Sequence, residues 1–234
     1  MRANEKRILL FDIDGTLLDP HGEGHTCMRR ALIEVYGVAG PMETYDMAGK
    51  TDWQIITDLM RLAGVDEATI DNKLLESFQA YARHVEKAAQ SFYMQLLPGV
   101  SDLLNCLMDD PRFILGLVTG NVRESVPHKL RAVGLVPTTF RFGAYGSENI
   151  NRNLLPSLAL ERLERILSAP VARESVLVIG DTPHDVACAR HAGVKVLCVA
   201  TGNFDRETLA GCSPDYLLDD LNDTETVLRI LNQF

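Results

Sequence analysis

The chain has 234 residues, 46% apolar and 24% charged, the composition of an ordinary globular protein rather than a disordered or fibrous one. Its 32 acidic and 23 basic residues give a net charge of −9. That excludes an affinity built on neutralising a nucleic-acid backbone, but leaves room for a small anionic substrate.

The first element is "RILLF" (7–11), an apolar run of strand length that stops at Asp12-Ile13-Asp14. Basic residues precede it, as in a leader peptide, yet Asp12 ends the run long before an apolar leader segment would be complete. No stretch reaches transmembrane length. A cytoplasmic protein with neither membrane nor nucleic-acid partner is expected. The five cysteines (Cys27, Cys106, Cys188, Cys198 and Cys212) are widely spaced with no C-x-x-C pair, so they form neither a disulfide framework nor a zinc site. They are expected as buried or half-buried free thiols.

From about Gly22 to Leu96 no strand is predicted. Met28, Leu32, Val35 and Tyr36 fall on one helical face. So do Ile55, Ile56, Leu59, Met60 and Ala63, and then Leu74, Leu75, Phe78, Tyr81, Ala82 and Val85. An insert of this size is too long for a crossover connection. It reads as an all-helical domain over residues 20–96, hinged near Asp19–Pro20 and Leu97–Pro98–Gly99.

Strand-length runs then return: "FILGLVT" (113–119), "FRFGAY" (140–145), "SVLVIG" (175–180) and "KVLCVA" (195–200). Helix-length segments lie between them at 122–134, 154–168 and 182–193, the last closing on Ala192-Gly193. A terminal helix follows, capped by Asp223 or Thr224. Alternating strands and helices, with runs apolar on both faces, predict an α/β core over 1–19 and 97–234: a parallel sheet covered by helices.

Ligands of such sheets bind beyond the carboxyl ends of the strands. Asp12, Asp14, Gly15 and Thr16 follow the first run, and Thr119, Gly120 and Asn121 end the second. Gly146, Ser147 and Arg152 come after the third; Gly180, Asp181 and Asp185 after the fourth. Converging carboxylates need a cation, and hard oxygen ligands suit Mg²⁺. Thr119 and neighbouring amides would hold phosphoryl oxygens, with Arg152 balancing charge. One of Asp12 and Asp14 would attack phosphorus; the other, two residues away on the same side of an extended strand, would move protons.

"FDIDGTLLD", "VTGN" and "GDTPHD", in this order, resemble the motifs of the haloacid dehalogenase superfamily, in particular its phosphoglycolate phosphatase-like members with a helical cap. "LPGVSDLL" (97–104) and "CARHAGVKVLCVATG" (188–202) are similar to that superfamily's cap-to-core junction and last core segment. The resemblance implies a Rossmann-like core, with Asp12 as nucleophile and Asp14 as general acid and base. The Asp12 side chain, the Asp14 carbonyl and Asp181 would hold Mg²⁺, with Asp185 in or beside its shell. Thr119, Gly120 and Asn121 would bind phosphate. An aspartate at position 14 favours phosphate esters over the superfamily's dehalogenase chemistry.

The superfamily's third motif usually supplies a lysine, and "SENINRNLLPSLAL" has none. Arg152 is expected to carry that charge, with Lys129 as the alternative. "AGKTDWQI" (48–55) resembles the substrate-facing loop of the cap, where Lys50 would meet a second anionic group or simply be solvated. Simpler roles stand beside these. Asp181 and Asp185 would serve as helix N-caps, Thr119 would satisfy a local amide, and Trp53 would pack on a helix face. His21, His25 and His184 would be exposed or hydrogen-bonded, with His25 near the hinge the one candidate for a minor role.

The expected function is therefore Mg²⁺-dependent hydrolysis of a small phosphorylated metabolite through an aspartyl-phosphate, by a monomer or dimer. Two alternatives remain open: a phosphomutase of the β-phosphoglucomutase type, and a non-catalytic phosphate-binding module.

Overall fold

The structure, a computed structural model, describes residues 6–91 and 94–234. Residues 1–5, with Arg2 of the basic residues before the first run, and 92–93, inside the expected helical insert, lie outside it.

Strand β1 (Arg7–Phe11) is followed by the two-residue β2 (Leu18–Asp19) and three helices: α1 (Glu23–Tyr36), α2 (Asp52–Leu62) and α3 (Glu67–Ala89). After β3 (Gln95–Leu96) come α4 (Val100–Asp109), β4 (Phe113–Thr119), α5 (Val126–Ala132), β5 (Phe142–Tyr145) and α6 (Leu155–Leu167). The chain ends with β6 (Val176–Gly180), α7 (Pro183–Ala192), β7 (Lys195–Val199), α8 (Arg206–Gly211), β8 (Tyr216–Leu218) and α9 (Thr224–Leu231).

Six strands form one parallel sheet in the order β5-β4-β1-β6-β7-β8. The chain adds β4 and β5 on one side of β1, then crosses to β6 on the other, so the ends of β1, β4 and β6 flank the point where the winding reverses. That is where parallel sheets bind ligands. Alternation along β1 splits the core in two: Leu9 and Phe11 join the cluster with α4 and α9, while Ile8 and Leu10 join that with α6 and α7. Burial on both faces explains why these strands read as continuous apolar runs.

Helices α1, α2 and α3 pack into a separate apolar cluster, on most of the residues whose spacing predicted them. Leu75 is 65% exposed on α3, Ala63 is exposed just past the end of α2, and Ala82, though buried, stands outside the cluster. Trp53 packs edge-to-face on Phe78 with ring centroids 6.3 Å apart, as a packing residue would. No strand was expected in this region, yet Gln95–Leu96 pairs antiparallel with Leu18–Asp19. A two-residue pairing leaves no period to detect. The third run begins as a strand at Phe142 rather than Phe140, because Phe140 closes a 3₁₀ turn and packs edge-to-face on Phe11. All five cysteines are free, but Cys106 is exposed rather than buried or half-buried.

Candidate active site

The Asp12 amide donates to the Ile179 carbonyl (2.9 Å), carrying the sheet pairing one residue past β1. The chain then turns. The Ile13 carbonyl accepts from the Leu17 and Leu18 amides at 2.8 and 3.1 Å, so Asp14 lies in a turn and not on an extended strand as expected. Both aspartates nonetheless line one cavity of about 570 Å³ between the strand ends and the helical layer.

Asp12 is buried, and Arg152 reaches it from a 3₁₀ turn just before α6. One guanidinium nitrogen of Arg152 donates to Asp12 Oδ2 at 2.8 Å and to Asp185 Oδ1 at 2.5 Å. Its Nε is buried without a hydrogen-bond partner. Arg152 is thus a buried cation in direct contact with two of the carboxylates. Burial pushes the Asp12 carboxyl above its ordinary value; Arg152 opposes the shift and Asp185 adds to it.

Asp181 follows β6 and accepts from the Thr16 hydroxyl at 2.9 Å. Burial, then the charges of Asp185 and Asp12, push its carboxyl well up. The turn brings Gly15 (φ 81°) so close that a side chain there would collide with the Asp181 carboxylate. At the start of α7 the simpler helix-capping role holds for Asp185 and not for Asp181. Thr182 is the N-cap, Pro183 stands in the first turn, and Asp185 returns a bond to the Thr182 amide at 3.0 Å. Asp181 is left free of capping duty.

Oxygens of Asp12, Asp181 and Asp185 lie within 4.8 Å of one another. Three carboxylates there face one guanidinium, an excess of negative charge that a buried site relieves by taking up a proton or a further cation. An all-oxygen donor set fits Mg²⁺. The Asp14 side chain is not in this group.

Asp14 Oδ2 instead accepts from Lys129 Nζ (2.5 Å) and Asn121 Nδ2 (3.0 Å), while its Oδ1 is buried with no partner. Lys129 also donates to Asn121 Oδ1 at 2.5 Å, and Asn121 Nδ2 donates to Thr119 Oγ1 at 2.8 Å. Lys129 and Arg152, weighed in the sequence as rivals, therefore occupy different places. Arg152 pairs with Asp12, Lys129 with Asp14.

On the opposite wall Lys50 lines the cavity, its ammonium 4.0 Å from the centre of the Tyr45 ring. His184 packs against Gly49, and burial lowers its pKa. His25 Nε2 lies 3.5 Å from the Met42 carbonyl, and His21 pairs with Asp19. Sequence reasoning missed Asp52. Buried at the start of α2, it ties the helical layer to the loop after β4. In the sequence, Thr51-Asp52 looks like ordinary helix-start chemistry, and Thr51 is indeed the N-cap.

Residues 9–199 match the family model described as haloacid dehalogenase-like hydrolase. The phosphoglycolate phosphatase of Synechococcus elongatus is 28% identical over 240 residues, covering 96% of this chain and 99% of that protein. Pyrophosphatase PpaX of Anoxybacillus flavithermus is 26% identical, covering 96% and 98%. The crystal structure of a hydrolase from Pseudomonas syringae superposes with a TM-score of 0.68 at 21% identity, covering 97% and 99%, and so shares the fold. With the family model spanning most of its length, and with aspartates converging at the ends of β1 and β6, this chain belongs to the haloacid dehalogenase-like hydrolases.

Proposed function

We propose that this hydrolase is a Mg²⁺-dependent phosphatase of a small phosphorylated metabolite, working through a phosphoryl group carried on Asp12. The observation that carries the reading is the buried Asp12 carboxylate, held by Arg152 on one side of a cavity that Asp14 also lines. Asp12 would form a bond to phosphorus as the ester P–O bond breaks, with Asp14 giving its proton to the departing oxygen. Asp14 would then take a proton from water as the water oxygen attacks phosphorus, freeing Asp12 and releasing phosphate. Thr119, the amides of Gly120 and Asn121, and Arg152 would hold the phosphoryl oxygens.

The Asp12 and Asp181 side chains and the Asp14 carbonyl would hold Mg²⁺, with Asp185 beside them. When bound, the ion supplies positive charge against the phosphoryl oxygens. Residues 20–96 would act as a cap on the core formed by 1–19 and 97–234, closing the cavity and shedding water. Lys50 in that cap would meet a second anionic group of the substrate. The relatives named phosphoglycolate phosphatase and pyrophosphatase support small anionic phosphates as the substrate class. No helix among the described residues is long and apolar enough to cross a membrane.

The test is Mg²⁺-dependent phosphate release across a panel of small esters and pyrophosphate, with Asp12→Asn protein as the blank. Turnover that vanishes in the blank supports the reading, and the best ester names the substrate. Absence of release from every ester overturns it, and an isomerised ester without released phosphate would mark a phosphomutase.

A further inference from the structure

Lys129 is fully buried on α5, a core helix, and its ammonium lies beneath the helical layer. A side chain placed at Gly24 of α1 would come within 4.0 Å of Nζ and 3.7 Å of the Tyr81 hydroxyl of α3. Burying an ammonium is costly, and an ion pair in such a place contributes little net stability compared with an apolar substitute. Stability is therefore a weak reason for a lysine here.

Its partners point to a better one. Lys129 Nζ and Asn121 Nδ2 both donate to the same oxygen of Asp14, Oδ2, and Lys129 steadies Asn121 through a second bond at 2.5 Å. Two donors on one oxygen fix the rotation of the carboxyl group. The other oxygen, Oδ1, is left buried with no partner. A buried polar atom without a partner calls for an explanation, of which a catalytic role of its group is one. Arg152, bonded to Asp12 and Asp185, does not reach Asp14, so the two cations divide the two aspartates between them.

We propose that Lys129 is a positioning residue for proton transfer: with Asn121 it pins Asp14 by Oδ2, fixing the orientation in which the carboxyl exchanges a proton with the leaving oxygen. This rests on the reading of Asp14 as general acid and base given above. In the first half-reaction the proton leaves the Asp14 carboxyl for the ester oxygen, which keeps the electron pair of the breaking P–O bond while the Asp12–phosphorus bond forms. In the second, the Asp14 carboxylate recovers a proton from the attacking water.

The experiment compares kcat/KM, which reports steps up to departure of the leaving group, for two substrates. One is the best alkyl phosphate from the panel, whose alkoxide needs a proton. The other is p-nitrophenyl phosphate, whose phenolate departs without one. General acid catalysis contributes about 10²–10⁴-fold. Lys129→Met should therefore lose on the order of 10²-fold on the alkyl ester and only a few-fold on p-nitrophenyl phosphate. The ratio of the two losses does not depend on the folded fraction, and Lys129→Gln supplies the same ratio should the methionine variant fail to fold. Equal losses on both substrates, with Asp14→Asn showing the split, would overturn the role of Lys129 alone. An Asp14→Asn protein without the split would overturn the reading of Asp14 on which it rests.

Discussion

The Asp52 carboxylate accepts a hydrogen bond from the Val122 amide at 2.7 Å, and the Asp52 amide in turn donates to the Gly120 carbonyl, also at 2.7 Å. With the bond from the Thr51 hydroxyl to the Ile150 carbonyl at 2.9 Å, these contacts dock the start of α2 on the loops that follow β4 and β5. The helical layer is thus tied to the peptide segment that presents Thr119, Gly120 and Asn121.

Burial pushes the Asp52 carboxyl up to about 7, with Lys129 and the Val122 amide opposing the shift. The folded-state value lies above that of the unfolded chain. Between about pH 4 and pH 7 the folded state therefore holds a proton the unfolded chain has lost, and stability falls as pH rises through that window, levelling off above it. Asp52→Asn removes the ionisation while keeping an oxygen for Val122. Its melting temperature should match the native protein near pH 4 and exceed it by several degrees at pH 8. Parallel melting curves across the pH range would show that Asp52 does not set this dependence.

Gly120 lies so close to the Lys50 carbonyl that a Cβ there would collide with it, and the colliding atom is backbone. Gly120→Ala must therefore push the start of α2 away from the core, at a cost of about 1–3 kcal/mol. Because the displaced segment carries Lys50 and Asp52, KM for the best ester should rise together with the loss of stability. Urea unfolding and steady-state kinetics on the same preparation check both; a variant stable as the native protein but with unchanged KM would mean the docking is looser than described.

Much of this arrangement was legible in the sequence, for identifiable reasons. Strands buried on both faces leave unbroken apolar runs, so β1, β4, β6 and β7 could be placed closely, and their ends delivered Asp12, Thr119 and Asp181 to one edge. The pairing of Leu18–Asp19 with Gln95–Leu96 has too few residues to leave a pattern. Lys129 and Asp52 were hard to read because a lysine on a short helix and an aspartate at a helix start are ordinarily solvated. Only the packing of α1, α2 and α3 over the core buries them. The turn after Asp12 was announced by Asp14-Gly15, a turn dipeptide, and Gly15 takes the left-handed φ of 81° that only glycine adopts freely.

Arg152 is the cation bonded directly to Asp12 and Asp185. Removing one member of a buried ion pair strands the other charges, which typically costs 3–5 kcal/mol. Arg152→Met should lower the urea midpoint accordingly and abolish phosphate release. Adding Mg²⁺ should restore part of the lost stability, because a divalent cation relieves the same excess of carboxylate charge. A variant as stable as the native protein in metal-free buffer would show that these carboxylates are already neutralised by protons.

Asp181 offers a prediction in which two effects have opposite signs. Without metal its carboxyl sits well above the ordinary value, through burial and the charges of Asp185 and Asp12. The folded state then binds a proton that the unfolded chain releases, so ionisation of Asp181 at neutral pH works against folding. Asp181→Asn removes that burden while keeping an oxygen for the Thr16 hydroxyl, which bonds the carboxylate at 2.9 Å. In metal-free buffer at pH 7.5 the variant should melt at or above the native temperature. In Mg²⁺ the order should reverse, because a ligand that binds only the folded state raises the melting temperature of the native protein in proportion to its affinity. The variant, short of one carboxylate, should gain little. Thermal scans with and without Mg²⁺ on both proteins decide the matter without any substrate: equal Mg²⁺-induced shifts would remove Asp181 from the metal site, and a variant less stable in both buffers would assign it a purely structural role.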